Sequence, residues 1–273
     1  MPLRSGAAIS SATADGRAAL VGYLPAGFPS ASGCLDAMRA MVDGGVDVIE
    51  VGLPYSDPVL DGPTIQAATE RALRGGTRIS DVLATAEAVA GLGVATVVMT
   101  YWNPVLAFGV DRFAAALRDG GVSGLITPDL IPDEAADWLE ISDRRELERI
   151  FLVAPSSTDE RIASTAGSCR GWVYAASTMG VTGARAATSS VAPGLVTRVR
   201  AHTALPVGVG LGVSNRDQAA EVAAYADAVI VGSALVRCLL DGSTLQAGVA
   251  AVGSLTAELA EGVRTGQGER GPR

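Results

Sequence analysis

Residues 46–66 read Val46-Asp47-Val48-Ile49-Glu50-Val51-Gly52-Leu53-Pro54-Tyr55-Ser56-Asp57-Pro58-Val59-Leu60-Asp61-Gly62-Pro63-Thr64-Ile65-Gln66. The run 46–52 is β-branched and apolar and stops at Gly52 and Pro54, the pattern of a buried strand. Side chains alternate along a strand, so Val46, Val48 and Glu50 are expected on one face and Ile49 and Val51 on the other. A Gly-Pro-rich loop follows, and then a helical stretch from Thr64. One strand–loop–helix unit therefore carries two carboxylates, eleven positions apart. Glu50 stands among valines near a strand end, where a charge is costly to bury unless it is paired or chemically employed. Asp61 stands just before a helix, whose positive end favours an anion. A structural pair for Glu50 and a helix cap for Asp61 are the rival readings; a cap suits Asp61 taken alone, whereas a merely structural Glu50 is the weaker reading.

The same unit recurs along the chain. Strand patterns fall near 19–24, 46–52, 95–101, 124–128, 150–153, 172–175, 207–210 and 228–232. Helical patterns lie at 32–43, 64–73, 79–92, 111–119, 133–139, 159–166, 190–200 and 215–225. Eight strand–helix repeats in a chain of 273 residues match an α/β fold of the (β/α)8 barrel type. A doubly wound open sheet would normally carry G-x-G-x-x-G after its first strand, and Gly22-Tyr-Leu-Pro-Ala-Gly27 is not that motif. No linker divides the chain, so one barrel is expected over 19–262. An N-terminal extension, 1–18, with an amphipathic piece at 7–17, should close the barrel bottom, and the polar, Gly-rich 263–273 should be a loose tail.

Composition narrows the chemistry. A net charge of −8, with no basic stripe, argues against a nucleic-acid partner. No apolar run is long enough for a membrane span, and the first 22 residues lack a signal-peptide layout. Cys34, Cys169 and Cys238 are far apart and without metal spacing, and read as thiols of a reducing cytoplasm. The chain has no lysine and a single histidine, His202. Schiff-base and pyridoxal-phosphate chemistry need the amine, and a metal centre built on several imidazoles needs more histidines. No cofactor and no metal are expected.

In such barrels the chemistry gathers at the carboxyl ends of the strands. The segment Ser177-Thr-Met-Gly180-Val-Thr182-Gly183-Ala-Arg185 after the sixth strand has the composition of a mobile lid. Gly-rich turns follow the seventh and eighth strands, Gly208-Val-Gly210-Leu211-Gly212 and Gly232-Ser233, the second opening a helix. Paired there, they suit a phosphate, because backbone N–H groups can point at the anion where no side chain blocks it.

The segment from Glu50 to Gln66 resembles the signature of the tryptophan synthase α-chain family. Supporting matches are Tyr23-Leu-Pro-Ala-Gly27, Tyr101-Trp-Asn103-Pro, Pro128-Asp129-Leu-Ile-Pro132, Gly180-Val-Thr182-Gly183 and Gly210-Leu211-Gly212-Val-Ser. They run in order from about Gly22 to beyond Ser233. Tyr55 and Leu60 stand where other members often have phenylalanine and alanine, and Thr178-Met179 replaces a Ser-Arg type sequence of some members. The resemblance implies a lyase that cleaves indole-3-glycerol phosphate to indole and glyceraldehyde 3-phosphate. It implies an α2β2 assembly with a β chain, docking around 54–58, 101–104 and 128–132. It implies Glu50 as acid/base and Asp61 as partner of the indole N–H. Tyr23, Ile65, Tyr101, Tyr174 and Leu211 would line the indole pocket. Gly180, Gly210, Gly212, Gly232 and Ser233 would surround the phosphate, with Thr182 and Gly183 in the lid.

These residues suit that reaction. Protonating indole C3 lets the ring accept the electrons of the breaking C–C bond, provided its N–H is stabilised as it becomes cationic, which a carboxylate at Asp61 does. The glyceryl hydroxyl must lose a proton, and Glu50 is placed to move it. Glu50's apolar setting is expected to raise its pKa and Asp61's loop setting is not. Two alternatives stand beside this reading. A phosphosugar isomerase would place its acids after strands 1 and 5, where the chain has Leu24-Pro25 and Ala154-Pro155. An idle regulatory barrel would have no reason to keep a buried glutamate.

Overall fold

The computed structural model describes residues 3–176, 191–210 and 212–266. Eight parallel strands form a closed barrel: β1 (Ala19–Pro25), β2 (Val48–Gly52), β3 (Ala95–Met99), β4 (Gly124–Thr127), β5 (Glu148–Val153), β6 (Val173–Ala176), β7 (Val207–Gly210) and β8 (Ala228–Val231). Each strand pairs with the next in sequence, and β8 closes on β1 through Ala19–Ala228 to Gly22–Val231. Helix α1 (Ser5–Ala14) precedes the barrel, and α2 (Ala31–Asp43) joins β1 to β2. Two helices follow β2, α3 (Pro63–Arg74) and α4 (Ile79–Ala90), and two follow β3, α5 (Trp102–Phe108) and α6 (Val110–Asp119). Then come α7 (Ala136–Arg144), α8 (Asp159–Ser168), α9 (Ala192–Arg200) and α10 (Arg216–Ala223), and after β8 α11 (Ser233–Asp241) and α12 (Leu245–Thr265).

Strand alternation divides the buried residues into two cores. Val21, Val48, Val97, Ile126, Ile150, Trp172 and Ile230 fill the barrel. Ile49, Val51, Val98, Leu125, Phe151 and Val209 face the helices, packing with Met38, Met41, Leu117 and Leu235 among others. Helix α1 seals the amino-terminal end of the barrel, with Ile9 and Ala12 in the inner core. Its first two backbone N–H groups, Ser5 and Gly6, donate to the buried Glu148 carboxylate at the start of β5, an anion held at a helix N-terminus. The Trp172 indole N–H donates to Ser5 Oγ at 3.0 Å, fixing the largest side chain of the inner core.

Several boundaries differ from the sequence reading for local reasons. β2 starts at Val48, and Val46 lies in the helix-facing core, not beside Val48 and Glu50. Gly45, at φ 96°, turns the chain there, and the Val46 N–H still bonds to Met41 at the end of α2. β3 ends at Met99, because Tyr101 leaves the sheet to become the residue preceding α5. The N-terminal helix ends before Arg17, which instead pairs with Asp47 at 2.6 Å. Residues 263–265, expected in the tail, belong to α12, which continues to Thr265 with Val263 buried against the barrel, and 267–273 lie outside the described residues. Thr244 caps the start of α12, its hydroxyl accepting from the Ala247 N–H.

Candidate active site

Glu50 lies on β2 in register with Tyr23 of β1 and Val97 of β3, with its side chain among inner-core residues. It is 1% exposed, and its Oε2 has no hydrogen-bond partner among the described residues. A carboxylate there would be an unpaired buried charge, and burial pushes its pKa up to about 8. Glu50 therefore holds a proton at pH 7. Among the described residues no ion pair is made by Glu50, which speaks against the rival reading of this residue.

Two tyrosines stand over it. Tyr23 fills space that missing side chains leave open: a Cβ at Gly52 would meet its hydroxyl at 2.3 Å, and one at Gly232 would meet its ring at 3.1 Å. Tyr174 is fitted in the same way against Gly210, where a Cβ would lie 2.5 Å from its hydroxyl, and it stacks on Trp172 at 5.8 Å. Burial raises the pKa of both hydroxyls well above the ordinary value. The charge of Glu50 acts on both, and Tyr23 also feels Asp61 and Tyr101. Glu50, Asp61, Tyr23, Tyr101 and Tyr174 thus come together at the carboxyl end of the barrel.

Asp61 does not cap α3. The cap position is Gly62, without a side-chain bond, and Pro63 opens the helix. The Asp61 carboxylate instead accepts from the Tyr101 hydroxyl at 3.1 Å, and its backbone carbonyl accepts from Gln66 Nε2 at 2.8 Å. The expectation that its pKa would stay ordinary is corrected. The loop folds Asp61 inward, burial raises its pKa, and the Tyr101 hydrogen bond opposes that rise.

The glycines assigned to phosphate fall on neighbouring strand ends, since β7 and β8 are paired up to Gly210–Ile230. Gly210 ends β7, Gly212 has φ 71°, Gly232 precedes α11 and Ser233 is its buried first residue. The first N–H groups of α11 are among the unpaired donors that every helix start presents. Gly210 and Gly232 also have the second task described above, making room for Tyr174 and Tyr23. Ile65 sits on α3 in the helix-facing core, the cluster against which Tyr23 also packs. Gly180, Thr182, Gly183 and Leu211 lie outside the described residues.

Two roles were not read from the sequence. Tyr101 fastens the loop after β2, its oxygen accepting from the Leu60 N–H at 2.9 Å while its proton goes to Asp61. Asp129 accepts the Trp102 N–H on both carboxylate oxygens, at 2.9 and 3.1 Å, tying the loop after β4 to the start of α5. The motifs Tyr101-Trp-Asn-Pro and Pro128-Asp129 held the signal, but not the pairing between them. On the same end of the barrel Val59, Leu60, Leu106 and Ile131 are exposed, Val59 at 70%. Among the described residues no group of His, Cys, Asp or Glu is arranged to hold a metal ion, and no helix is long and apolar enough to cross a membrane.

Comparison with known proteins gives one answer by sequence and by structure. The family model described as "Tryptophan synthase alpha chain" matches residues 9–264. The tryptophan synthase alpha chain of Acidothermus cellulolyticus is 62% identical over 259 residues, covering 95% of this chain and 96% of the relative. That of Nocardia farcinica is 59% identical over 256 residues, 94% of each chain. A solved structure of Mycobacterium tuberculosis tryptophan synthase superposes with a TM-score of 0.90 at 58% identity, covering 97% of this chain and 99% of that one. A mutant tryptophan synthase alpha-subunit from Pyrococcus furiosus, 31% identical, gives a TM-score of 0.82 over 89% of this chain and 98% of its own.

Proposed function

This chain belongs to the tryptophan synthase alpha chain family, and we propose that Glu50 and Asp61 carry its reaction. That reaction is the lyase cleavage of indole-3-glycerol phosphate to indole and glyceraldehyde 3-phosphate. The observation that carries the proposal is the Oε2 of Glu50, buried beneath Tyr23 and Tyr174 and without a hydrogen-bond partner among the described residues, where burial pushes the pKa up to about 8. Glu50 gives this proton to indole C3, which breaks aromaticity and turns the ring into an electron acceptor. The ring N–H becomes acidic and cationic, and the Asp61 carboxylate stabilises it. Glu50, now ionised in an apolar site, takes the proton of the glyceryl hydroxyl as the C–C bond breaks and its electrons return to the ring. Indole and the aldehyde leave, and Glu50 is neutral again. A neutral acid and a charged carboxylate are set by two environments, one apolar and one supplied with a hydrogen-bond donor.

Tyr23, Tyr174 and the ring of Tyr101 flank the indole, with Ile65 and Leu211 completing the pocket. Gly210, Gly212, Gly232 and Ser233 hold the phosphate, joined by Gly180 from the segment carrying Thr182 and Gly183. The test is to incubate purified chain with indole-3-glycerol phosphate and measure indole and glyceraldehyde 3-phosphate. Equal release is expected from the natural chain, and a loss on the order of 10²-fold or more from Glu50→Gln and from Asp61→Asn. Asp61→Glu should lose less than Asp61→Asn. Unimpaired release from Glu50→Gln would overturn the assignment.

The partner belongs to the same proposal. A β chain docks on the face where Val59, Leu60, Leu106 and Ile131 are exposed, giving an α2β2 assembly in the cytoplasm. Four large apolar side chains open to water, on the loops and on α5 beside the active site, support this. Adding the cognate β chain should raise kcat at least ~10-fold, about 1.4 kcal/mol of barrier. Full activity alone, with no complex at micromolar concentrations, would refute the partner.

A further inference from the structure

Tyr101 is more than a wall of the pocket. A phenol has one proton to donate and lone pairs to accept with. The Leu60 N–H, 2.9 Å away, donates into the oxygen, so the proton is directed at Asp61 Oδ1, 3.1 Å away. The ring that presents this hydroxyl is itself fixed. It is buried, it precedes α5, and Tyr55 packs on it at 5.3 Å. Tyr55 is held in turn, its hydroxyl accepting from Asn103 Nδ2 at 3.2 Å.

Among the described residues the Tyr101 hydroxyl is the one hydrogen-bond donor to the Asp61 carboxylate. Tyr23 faces it from β1, with Glu50 beside Tyr23 on β2; both keep their protons at pH 7 and neither supplies a positive charge. From α3 the Gln66 amide reaches the Asp61 backbone carbonyl and not the carboxylate. No Arg or His pairs with Asp61 among the described residues, and its burial favours the neutral acid. A neutral Asp61 could not stabilise the cationic indole ring.

We propose that Tyr101 is a positioning residue for the reaction: its hydroxyl, aimed by the Leu60 N–H, fixes Asp61 Oδ1 and keeps the carboxylate ionised. The proposal rests on the reading of Asp61 given above. The loop after β2 and the start of α5 thereby act as one piece, so a displacement of Leu60 would reach Asp61 through this oxygen.

The experiment is Tyr101→Phe, which keeps the ring and removes the hydroxyl. The Asp61 carboxyl is titrated by carbon-13 NMR in the full chain, its signal identified by its absence from Asp61→Asn, and kcat/KM is measured against pH for both proteins. Loss of a hydrogen bond to a charged group is expected to raise the Asp61 pKa by about 1–2 pH units. The acid limb of kcat/KM should move up by the same amount, with kcat lowered more than KM is raised. An unmoved Asp61 titration in a folded Tyr101→Phe chain would overturn the proposal. Full activity of Asp61→Asn would instead refute the role of Asp61 itself, an outcome distinguishable from the first.

Discussion

Glu50→Gln should make this protein more stable while stopping its chemistry. In the unfolded chain Glu50 has an ordinary pKa of 4.5, and burial raises it to about 8 in the folded protein. The folded state therefore holds the proton more tightly than the unfolded state does. As pH rises through 4.5 the unfolded chain gains the option of ionising and the folded chain does not, so stability falls from there up to about 8 and then levels off. At 1.36 kcal/mol per pH unit, the interval from 4.5 to pH 7 costs the natural protein about 3 kcal/mol. Glutamine has the same shape and cannot ionise, so it removes this cost. Its buried amide lacks partners as well and gives back about 1 kcal/mol or more. A net gain of up to about 2 kcal/mol at pH 7 remains, a rise in Tm of up to roughly 4–8 °C for a chain of this size. Urea unfolding of both proteins at pH 7 and at pH 4 measures it. The gain should be largest at neutral pH and turn into a loss of about 1 kcal/mol near pH 4, where both states keep the proton and only the cost of the amide remains. Equal stability at pH 7, or a gain that does not depend on pH, would refute the reasoning. A functional group held at a cost to the fold is the expected signature of an active site.

Gly210→Val forces a side chain into the space of the Tyr174 hydroxyl, 2.5 Å from the Cβ position. It should raise KM strongly and lower stability by about 1–3 kcal/mol, read from kinetics and thermal unfolding. Gly212→Val, at φ 71°, should raise KM with the fold retained. Inorganic phosphate and glycerol phosphate should compete with substrate at millimolar concentration, and absence of competition would move the phosphate site elsewhere. Cys34 and Cys169 are buried, with thiols pushed up to about 11 and about 12, so alkylating reagents should spare them in the folded chain. Cys34→Ser and Cys169→Ser should leave kcat unaltered.

The barrel was legible because its signal is local. Each strand declares itself by a short β-branched run, and the alternation within β2 is enough to point Glu50 inward with Val48. The raised pKa of Glu50 followed from its neighbours in the same strand. What escaped the sequence depended on distant partners or on local exceptions. Asp61 meets Tyr101 across 40 positions, and nothing in the Gly-Pro-rich loop indicates that it folds inward onto that hydroxyl. Helix α5 was unreadable because Tyr101-Trp-Asn-Pro resembles a chain break, yet Pro104 falls in the first turn, where its missing N–H is harmless. Val46 obeys the alternation on paper and breaks it in space, because Gly45 turns the chain before β2 begins. Gly210 and Gly232 read as phosphate turns, and their fit to two tyrosine rings needed the assembled barrel.

The most direct test of Glu50 as the proton carrier follows its own carboxyl group. Infrared difference spectra between the natural chain and Glu50→Gln isolate its C=O stretch, which is recorded against pH beside kcat/KM. A neutral carboxyl at pH 7 is expected, losing its proton near pH 8, with the alkaline limb of kcat/KM falling at the same pH. An ionised Glu50 at pH 7, or an alkaline limb that does not follow its titration, would contradict the assignment.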